Sequence, residues 1–408
     1  MNCHSLLKFV GLVIVTILLM PAAGAVDPLW THDASTSGEL SGIVISADGS
    51  AVVVGGDQLI ALTSTGVKRW TGWSGVTLAI SSDGAYILTS RDQTVRLISG
   101  TGTMLWDMSL GDYVTEAVMM PDASLIAAGG GSRVRLVNVS GSGFRQNSSI
   151  QVRHIRFLAE ENRVVITTKT GIQTSNFTLL SEWTDTNATQ DLVEAAADGS
   201  SFVTVTNNRV RLYTADGSLQ WDRSLPGGNA LAFALSRDGS TIVIGRDDNT
   251  VQALDRNGTL LWTDRASHWI TSVAVSDDGT TIAAGSMDKT LAVYDRAGTK
   301  LGFSVTKNPI KARSVAVSGD GSVIAAVDAA AVYGFSRSQF TEPVTPAVIP
   351  TPSPSPVTTP VPVTTPQLVT TAVATPVSSP AETPKTFLTP VAVMAALALV
   401  LFLRIRDP

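Results

Sequence analysis

The residues that most often do chemistry are few and scattered in this chain. Its one cysteine is Cys3, and its four histidines, His4, His32, His154 and His268, are far apart in the sequence. A catalytic or metal site needs several nucleophilic, acid–base or ligating groups held together. No motif groups them here, so the sequence predicts no catalytic residue, no metal ligand and no cofactor. A composite site assembled only by the fold stays open as an alternative.

A second set of polar residues recurs at one point of a repeating pattern, in short loops between two strands. It comprises Asp57, Arg91, Asp92, Lys169, Asn207, Arg246, Asp247, Asp288 and Lys289. Equivalent loops of a radial fold surround the same mouth of its channel, and binding residues are often on such loops. We therefore predict a ligand or partner face there. The alternative interpretation is that these residues form ordinary solvated turns.

Asparagine in the pattern Asn-x-Ser/Thr supplies a third set of candidate residues. These sequons lie at Asn138, Asn147, Asn176, Asn187 and Asn257. In a secreted chain, each is a candidate glycosylation site.

Composition excludes several classes of function. The 408 residues include 29 Lys and Arg against 34 Asp and Glu, a net charge of −5. Such a chain lacks the basic excess that phosphate backbones require, so nucleic acid is not an expected partner. If Cys3 is lost with a leader, the mature chain contains no disulfide and no thiol nucleophile.

The elements that position these residues are copies of one unit, recognisable by two landmarks. The first is a turn, usually Asp-Gly, which favours a hairpin because both residues tolerate positive φ. It recurs at Asp48, Asp83, Asp122, Glu161, Asp198, Asp238, Asp278 and Asp320. The second is an aromatic residue near the end of the unit, which recurs about every 39 residues at Trp30, Trp70, Trp106, Phe144, Trp183, Trp221, Trp262 and Phe303.

These landmarks predict an all-β, eight-bladed β-propeller of four-stranded antiparallel blades over residues 26–340. The aromatic series begins before the first Asp-Gly turn, whereas the last turn, at Asp320, has no aromatic strand after it. We infer that residues 29–32 supply the outer strand of the last blade. We expect the aromatic residues to pack between blades, because a large ring buries some 150–250 Å². A β-solenoid is the alternative fold.

The two ends of the chain predict an extracytoplasmic, membrane-anchored protein. Residues 1–25 have the basic, apolar and small-residue regions of a signal peptide. Residues 341–386 contain 12 Pro, 12 Thr and 4 Ser, which predicts an extended, disordered stalk. An apolar segment, 387–405, predicts one transmembrane helix, and residues 406–408 a short cytoplasmic tail. Loss of the C-terminal segment by processing is the alternative.

Several repeats resemble known families. GSMDKTLAVYD (285–295), which follows SVAVSDDG, resembles a WD40 repeat. VQALDRNGTLLW (251–262) and VRLYTADGSLQW (210–221) resemble the quinoprotein (PQQ)-type repeat, whose eight-bladed propellers use a Gly turn and a docking tryptophan. Quinoprotein dehydrogenases commonly bind calcium and a quinone, but no residues here match that metal site. The whole layout resembles stalked, membrane-anchored surface proteins of archaea.

These observations predict a non-enzymatic interaction module at the cell surface. Its expected partner is an envelope protein or polysaccharide, with a role in adhesion or envelope organisation. The alternative is an extracytoplasmic enzyme, or a propeller that binds a cofactor or metal at the channel mouth. A propeller fold alone does not choose between these roles.

Overall fold

The computed structural model describes residues 24–143, 145–158, 161–186 and 192–340. These residues form an all-β structure of 32 strands, arranged as eight antiparallel sheets of four strands each. The predicted eight-bladed propeller with four-stranded blades is therefore confirmed. A 3₁₀-helix, Arg337–Phe340, follows the last strand.

Strand β1 (Trp30–Asp33) comes first in the chain and belongs to the last blade. Blade 1 contains β2 (Leu40–Ile45), β3 (Ala51–Gly56), β4 (Leu59–Thr63) and β5 (Lys68–Gly72). Blade 2 contains β6 (Val76–Ile80), β7 (Tyr86–Arg91), β8 (Thr94–Ser99) and β9 (Met104–Ser109). Blade 3 contains β10 (Val114–Met119), β11 (Leu125–Gly130), β12 (Arg133–Asn138) and β13 (Arg145–Asn147). Blade 4 contains β14 (Val152–Leu158), β15 (Arg163–Thr168), β16 (Ile172–Asn176) and β17 (Ser181–Asp185).

The second half of the ring has the same plan. Blade 5 contains β18 (Leu192–Ala195), β19 (Ser201–Thr206), β20 (Arg209–Thr214) and β21 (Leu219–Ser224). Blade 6 contains β22 (Ala230–Leu235), β23 (Thr241–Arg246), β24 (Thr250–Asp255) and β25 (Leu260–Arg265). Blade 7 contains β26 (Ile270–Val275), β27 (Thr281–Ser286), β28 (Thr290–Asp295) and β29 (Lys300–Val305). Blade 8 contains β30 (Val315–Val317), β31 (Val323–Val327), β32 (Ala331–Ser336) and β1.

The eight blades form a closed ring around a channel. The first strands of neighbouring blades contact one another in succession, and β30 of blade 8 contacts β2 of blade 1. The first strand of each blade therefore lies innermost. Strand β1 completes blade 8 by pairing with β32, with Trp30 opposite Gly334 and Asp33 opposite Ala331. The exchanged strand thus exists, one residue later than residues 29–32.

The Asp-Gly turns join the first two strands of a blade through a small hydrogen-bond network. In blade 2, Ser81 Oγ donates to Asp83 Oδ1 at 2.6 Å, and the amide of Ala85 donates to the same oxygen at 2.9 Å. Gly84 has φ +70°, a left-handed conformation that glycine adopts without steric cost. In blades 3 and 4 the equivalent residues, Ala123 and Asn162, keep positive φ values of 59° and 52°. The turn conformation therefore persists where the sequence departs from Asp-Gly.

The apolar core is divided among the interfaces between blades. The described residues contain eight buried clusters, and each joins two neighbouring blades. Between blades 1 and 2, for example, Val53 and Leu59 pack against Ile87 and Ile98. No single blade buries its faces alone, so the ring must be complete for the core to be complete.

The strand-end tryptophans lie at the same interfaces. Each indole packs on the glycine of the turn between the third and fourth strands of the next blade; the pairs are Trp30–Gly66, Trp70–Gly102, Trp106–Gly141, Trp183–Gly217, Trp221–Gly258 and Trp262–Gly298. Most of the indole N–H groups also donate to a carbonyl of that turn, as Trp70 does to Gly100 at 2.9 Å.

Phe303 closes this aromatic series differently, because blade 8 ends in the 3₁₀-helix where other blades have a turn. The Phe303 carbonyl accepts a hydrogen bond from the amide of Val26 at 2.7 Å, and Ala25 forms a parallel bridge with Phe303. Phe340 of the helix is buried beside Phe335. The amino end of the domain is thus held by blades 7 and 8.

Several sequence predictions fall outside the described residues. These are residues 1–23 of the predicted signal peptide, the predicted stalk, membrane helix and tail, Phe144 and Asn187. Within the described ranges, no helix has the length and hydropathy that a membrane crossing requires.

Candidate functional site

The topology of the blades divides the polar loops between two faces. In an antiparallel meander, successive turns alternate between the two ends of the strands. One end carries the hairpins between second and third strands, together with the connections from each blade to the next; we call it the mouth face. Its hairpins comprise residues 57–58, 92–93, 131–132, 169–171, 207–208, 247–249, 287–289 and 328–330. The other end carries the Asp-Gly turns and the glycine turns that receive the tryptophans.

Three of the predicted loop residues lie together on the mouth face. Asp57, Arg91 and Asp92 line a cavity of about 360 Å³ where blades 1, 2 and 3 meet. The cavity is also lined by Glu39, Ser74 and Tyr113, and Tyr113 is 71% exposed. The Arg91 guanidinium contacts Asp92 at 3.8 Å and donates to the Ser74 hydroxyl. This part of the face therefore combines both charges with an exposed aromatic ring.

The remaining predicted loop residues are spread over blades 4 to 7. Lys169, Asn207 and Lys289 are exposed, and Asn207 and Lys289 have positive φ. Asp247 accepts hydrogen bonds from the amide and side chain of Asn229, and Asp288 accepts from the amide of Ser267. Each carboxylate therefore joins the hairpin of its own blade to the connection through which the chain enters that blade.

Arg246 lies within blade 6 and has no exposed surface. Its Nε donates to Gln252 Oε1 at 2.9 Å and another nitrogen donates to the Gly228 carbonyl. Burial lowers the pKa of Arg246, with Asp248 and Asp247 opposing that effect. The side chain therefore fastens the hairpin to the Gly227–Gly228 connection and is not a surface contact.

A second polar site, which the sequence reasoning did not identify, lies inside the channel. The channel cluster consists of Glu116 from β10, His154 and Arg156 from β14, Glu194 from β18, and Arg313 from the connection into β30. His154 Nδ1 lies 2.7 Å from Glu116 Oε2, and an Arg156 nitrogen lies 3.4 Å from Glu116 Oε1. Two further nitrogens of Arg156 donate to the two oxygens of Glu194, each at 2.8 Å.

Arg313 completes the cluster from a distant part of the ring. It belongs to blade 8, and its guanidinium lies 3.6 Å from Glu116 Oε2 in blade 3. Blades 1 and 2 separate these two blades in the ring. The side chain therefore extends across the channel. It is about half exposed, whereas the Glu116 side chain is 7% exposed.

The electrostatics of the cluster keep the Glu116 carboxylate ionised. Burial by itself would raise the pKa of Glu116, but Arg156, the hydrogen bond from His154 and Arg313 outweigh burial and hold the pKa at about 2. Burial would likewise lower the pKa of Arg156, but Glu194 and Glu116 raise it above its ordinary value. Because the Glu116 carboxylate only accepts hydrogen bonds, the Nδ1 proton of His154 points at it.

The local register explains how Glu116 reaches the channel. Strand β10 has an irregular register between Val114 and Glu116, which sets Glu116 opposite Gly129. The same register position holds Ala232 opposite Gly245 in blade 6, and Ser272 opposite Gly285 in blade 7. Bulges of this kind redirect side chains. In blade 4 the same register position holds His154, opposite Thr167. A repeat alignment that compared this position across blades would have shown the carboxylate and the imidazole in neighbouring repeats.

The channel cluster borders a cavity of about 320 Å³, which residues from the first strands or their entries in all eight blades enclose. Its polar lining is the cluster, which comes from blades 3, 4, 5 and 8. Its apolar lining includes Val44, Leu78, Leu231, Phe233 and Val273, which come from blades 1, 2, 6 and 7. The cavity therefore combines charged and apolar groups around the channel.

The histidines, which are far apart in the sequence, differ in their surroundings. His154 is oriented by Glu116 and lines the channel cavity. By contrast, His268 is exposed, and its Nδ1 accepts the amide of Trp269 at 2.8 Å. In the part of the chain that the structure describes, no group of three or more His, Cys, Asp or Glu is placed to hold a metal ion. The cluster presents to the cavity the half-exposed guanidinium of Arg313 and the imidazole of His154.

The described sequons differ in their surroundings. Asn138 and Asn176 end their strands, and each Oδ1 accepts backbone amides of the following turn. Asp255 does the same in blade 6. Asn147 is half-buried, and Asn257 is exposed. Asn138 and Asn176 therefore have a role in the turn that is independent of any glycan.

Comparisons with known proteins agree with the fold. The family profile described as "WD domain, G-beta repeat" matches residues 65–99 and 258–295. The crystal structure of Sqt1 from Chaetomium thermophilum is similar, with a TM-score of 0.63 and 13% identity, over 77% of this chain and 100% of that one. A search of curated protein sequences gives no match. The matched repeats and the ring of eight blades together show that the chain is a WD40-like repeat β-propeller.

Proposed function

We propose that this propeller is a non-enzymatic interaction module of the cell surface, and that it binds an envelope protein or polysaccharide through the mouth face of blades 1 to 3. The observation that carries the proposal is the cavity formed by Asp57, Arg91, Asp92 and the exposed ring of Tyr113. Tyrosine and arginine are the side chains that most often dominate binding at protein interfaces. Charges of both signs suit a polar partner surface better than a simple anion.

Two further observations support this role. WD40-like propellers generally serve as scaffolds for protein interactions. The sequence outside the propeller predicts a signal peptide, a Thr- and Pro-rich stalk and an apolar membrane segment, which would tether the propeller at the cell surface. Adhesion or envelope organisation is the role that this arrangement serves.

Photo-crosslinking on intact cells tests the proposed face. Tyr113 is replaced by the photoreactive p-benzoyl-phenylalanine in the full chain, and Leu219, which is 51% exposed at the opposite end of its blade, receives the same group as a matched control. We expect a discrete adduct from position 113 alone, lost when Arg91→Ala and Asp57→Ala are added. Peptide and sugar analysis of the adduct distinguishes a protein from a polysaccharide. Equal labelling from both positions would refute the proposal.

The proposed anchoring at the cell membrane has its own test. Cells that produce the full chain are compared with cells whose chain stops after Phe340, and the membrane and medium fractions are probed for the propeller. We expect the full chain in the membrane fraction and the shortened chain in the medium. Release of both chains into the medium would refute the membrane anchor. The proposed binding face would then be tested by crosslinking alone.

A further inference from the structure

The channel cavity has properties that the mouth face does not account for. Its volume of about 320 Å³ lies at the lower end of the range for small-molecule sites, roughly 300–1,000 Å³. Such sites combine apolar walls with a few converging polar groups. The cavity of this propeller has both, so its size and lining favour a small amphipathic molecule.

The charges in the channel cluster are not equally available to a ligand. Arg156 is engaged by both oxygens of Glu194, by Glu116 and by the Ile155 carbonyl. Glu116 is compensated by Arg156 and by the 2.7 Å contact with His154. Arg313, in contrast, has one ion pair at 3.6 Å and a side chain that is about half exposed. It is therefore the cation of the cluster that can exchange its partner at the least cost.

One apolar group that lines the cavity is left exposed. Leu231 stands at an irregular position of β22 and is 37% exposed. Burial of apolar surface is favourable, so the apolar body of a ligand would be stabilised by covering this side chain.

We propose that the channel binds a small organic carboxylate. Its carboxylate pairs with Arg313, beside His154, and its apolar body packs against Leu78, Leu231 and Phe233. When Arg313 turns to the ligand, Glu116 keeps Arg156 and His154 as partners, so no carboxylate is left without a compensating group. This site is separate from the mouth face and does not depend on the function proposed for it.

Calorimetric titration of the purified full-length protein tests the site with three probes. Phenylacetate carries both the charge and the apolar body, phenylacetamide keeps the shape without the charge, and acetate keeps the charge alone. We expect phenylacetate to bind most tightly, because a hydrogen bond to a charged group contributes about 1.5–3 kcal/mol, or about tenfold to a hundredfold in affinity. Equal affinity for phenylacetate and phenylacetamide would refute the proposal. So would the absence of saturation at about 10 mM, where even a site with a Kd of ~1 mM is filled.

Three variants assign any binding to the channel. Arg313→Gln should lower phenylacetate affinity by about tenfold or more, whereas Arg313→Lys, which keeps the charge, should retain much of it. Arg237→Gln removes a comparably exposed arginine, with an ion pair of the same 3.6 Å length, that lines neither the channel cavity nor the mouth-face cavity, and it should leave phenylacetate affinity unchanged. Each variant is first shown to keep the wild-type melting temperature. Unchanged binding by a folded Arg313→Gln protein would place the probe elsewhere and overturn the assignment.

Discussion

Glu116 shows how one residue can change the character of a channel. At the register position where blades 6 and 7 carry Ala232 and Ser272, blade 3 carries a carboxylate that is 5% exposed. A charge so buried is stable only when it is paired and hydrogen-bonded. Arg156, His154 and Arg313 meet that requirement, and they come from two other blades. The charge of Glu116 is therefore linked to the assembly of the ring.

The low pKa of Glu116 predicts a dependence of stability on acid. Its folded pKa of about 2 lies below the ordinary value of 4.5. Its contribution is therefore complete above pH 4.5 and is lost as the pH falls from 4.5 towards 2. A shift of this size corresponds to stability on the order of 3 kcal/mol. Urea unfolding of the wild type between pH 7 and pH 2.5 should show this loss.

The variant Glu116→Gln identifies the group responsible. We expect it to be less stable than the wild type at pH 7, by about 3 kcal/mol, because Arg156 loses a buried partner. Its stability should also fall less between pH 4.5 and 2.5. Glu39→Gln is the control, since its carboxylate is 75% exposed and pairs with Lys311 at the surface. If Glu116→Gln kept the full acid dependence, the stabilisation would have to come from other carboxylates.

At the scale of elements, the docking of a tryptophan on a glycine turn is the contact that repeats between blades. Gly102 has φ +89°, and a methyl group at this position would lie 2.8 Å from Cδ2 of Trp70. Glycine is needed here for two reasons, the left-handed backbone and the close approach of the ring. A larger residue must either displace the indole or distort the turn.

The variant Gly102→Ala measures this contact. Left-handed strain of about 1–2 kcal/mol and overpacking of about 1–3 kcal/mol should together destabilise the propeller by about 2–4 kcal/mol in urea unfolding. Gly72→Ala, at the end of β5, is the matched control, because a methyl group there meets no atom within 4 Å. It should leave stability nearly unchanged. Equal effects from the two substitutions would mean that the indole does not restrict the turn.

The same elements explain which features were predictable from the sequence. Asp83, Gly84 and Trp70 act within a hairpin or between adjacent blades, and each recurs in the repeats, so the number of blades and the exchanged strand could be inferred. The channel cluster could not, because Glu116, Glu194 and Arg313 are far apart in sequence and meet only inside the closed ring. Their residue types do not recur at the equivalent positions. The repeat pattern therefore predicts the blades, but it does not predict the channel residues, which each occur in a single repeat.

At the scale of the molecule, closure of the ring depends on β1. Trp30 packs on Gly66 of blade 1 and donates its indole hydrogen to the Ser64 carbonyl at 2.7 Å, while its strand completes blade 8. The interface between blades 8 and 1 therefore loses both a strand and a docking ring if β1 is removed. The beginning of the chain also reaches the interface between blades 7 and 8, where Val26 packs against the apolar cluster.

Removal of residues 26–33 should consequently destabilise the whole domain. We expect a melting temperature at least about 10 °C lower, since several kcal/mol are lost and each kcal/mol lowers the melting temperature by about 2–4 °C in domains of 150–250 residues. Replacement of Trp30 by Phe, which keeps the strand and loses the indole hydrogen bond, should have a much smaller effect. Unchanged melting after the deletion would show that blade 8 is stable with three strands.

The exchanged strand also sets the order of events during synthesis. Trp30 and Gly334 are about 300 residues apart in the chain, so the first strand made must wait for the last blade before it finds its partner. During that interval β1 has no partner, and once β32 is made its outer edge stays open until β1 pairs with it, so any extended strand can pair there. When two unfinished chains are close together, the first strand of one can complete the ring of the other, as in domain swapping. The pairing of β1 with β32, which closes the ring, is thus also the place where two molecules can become joined.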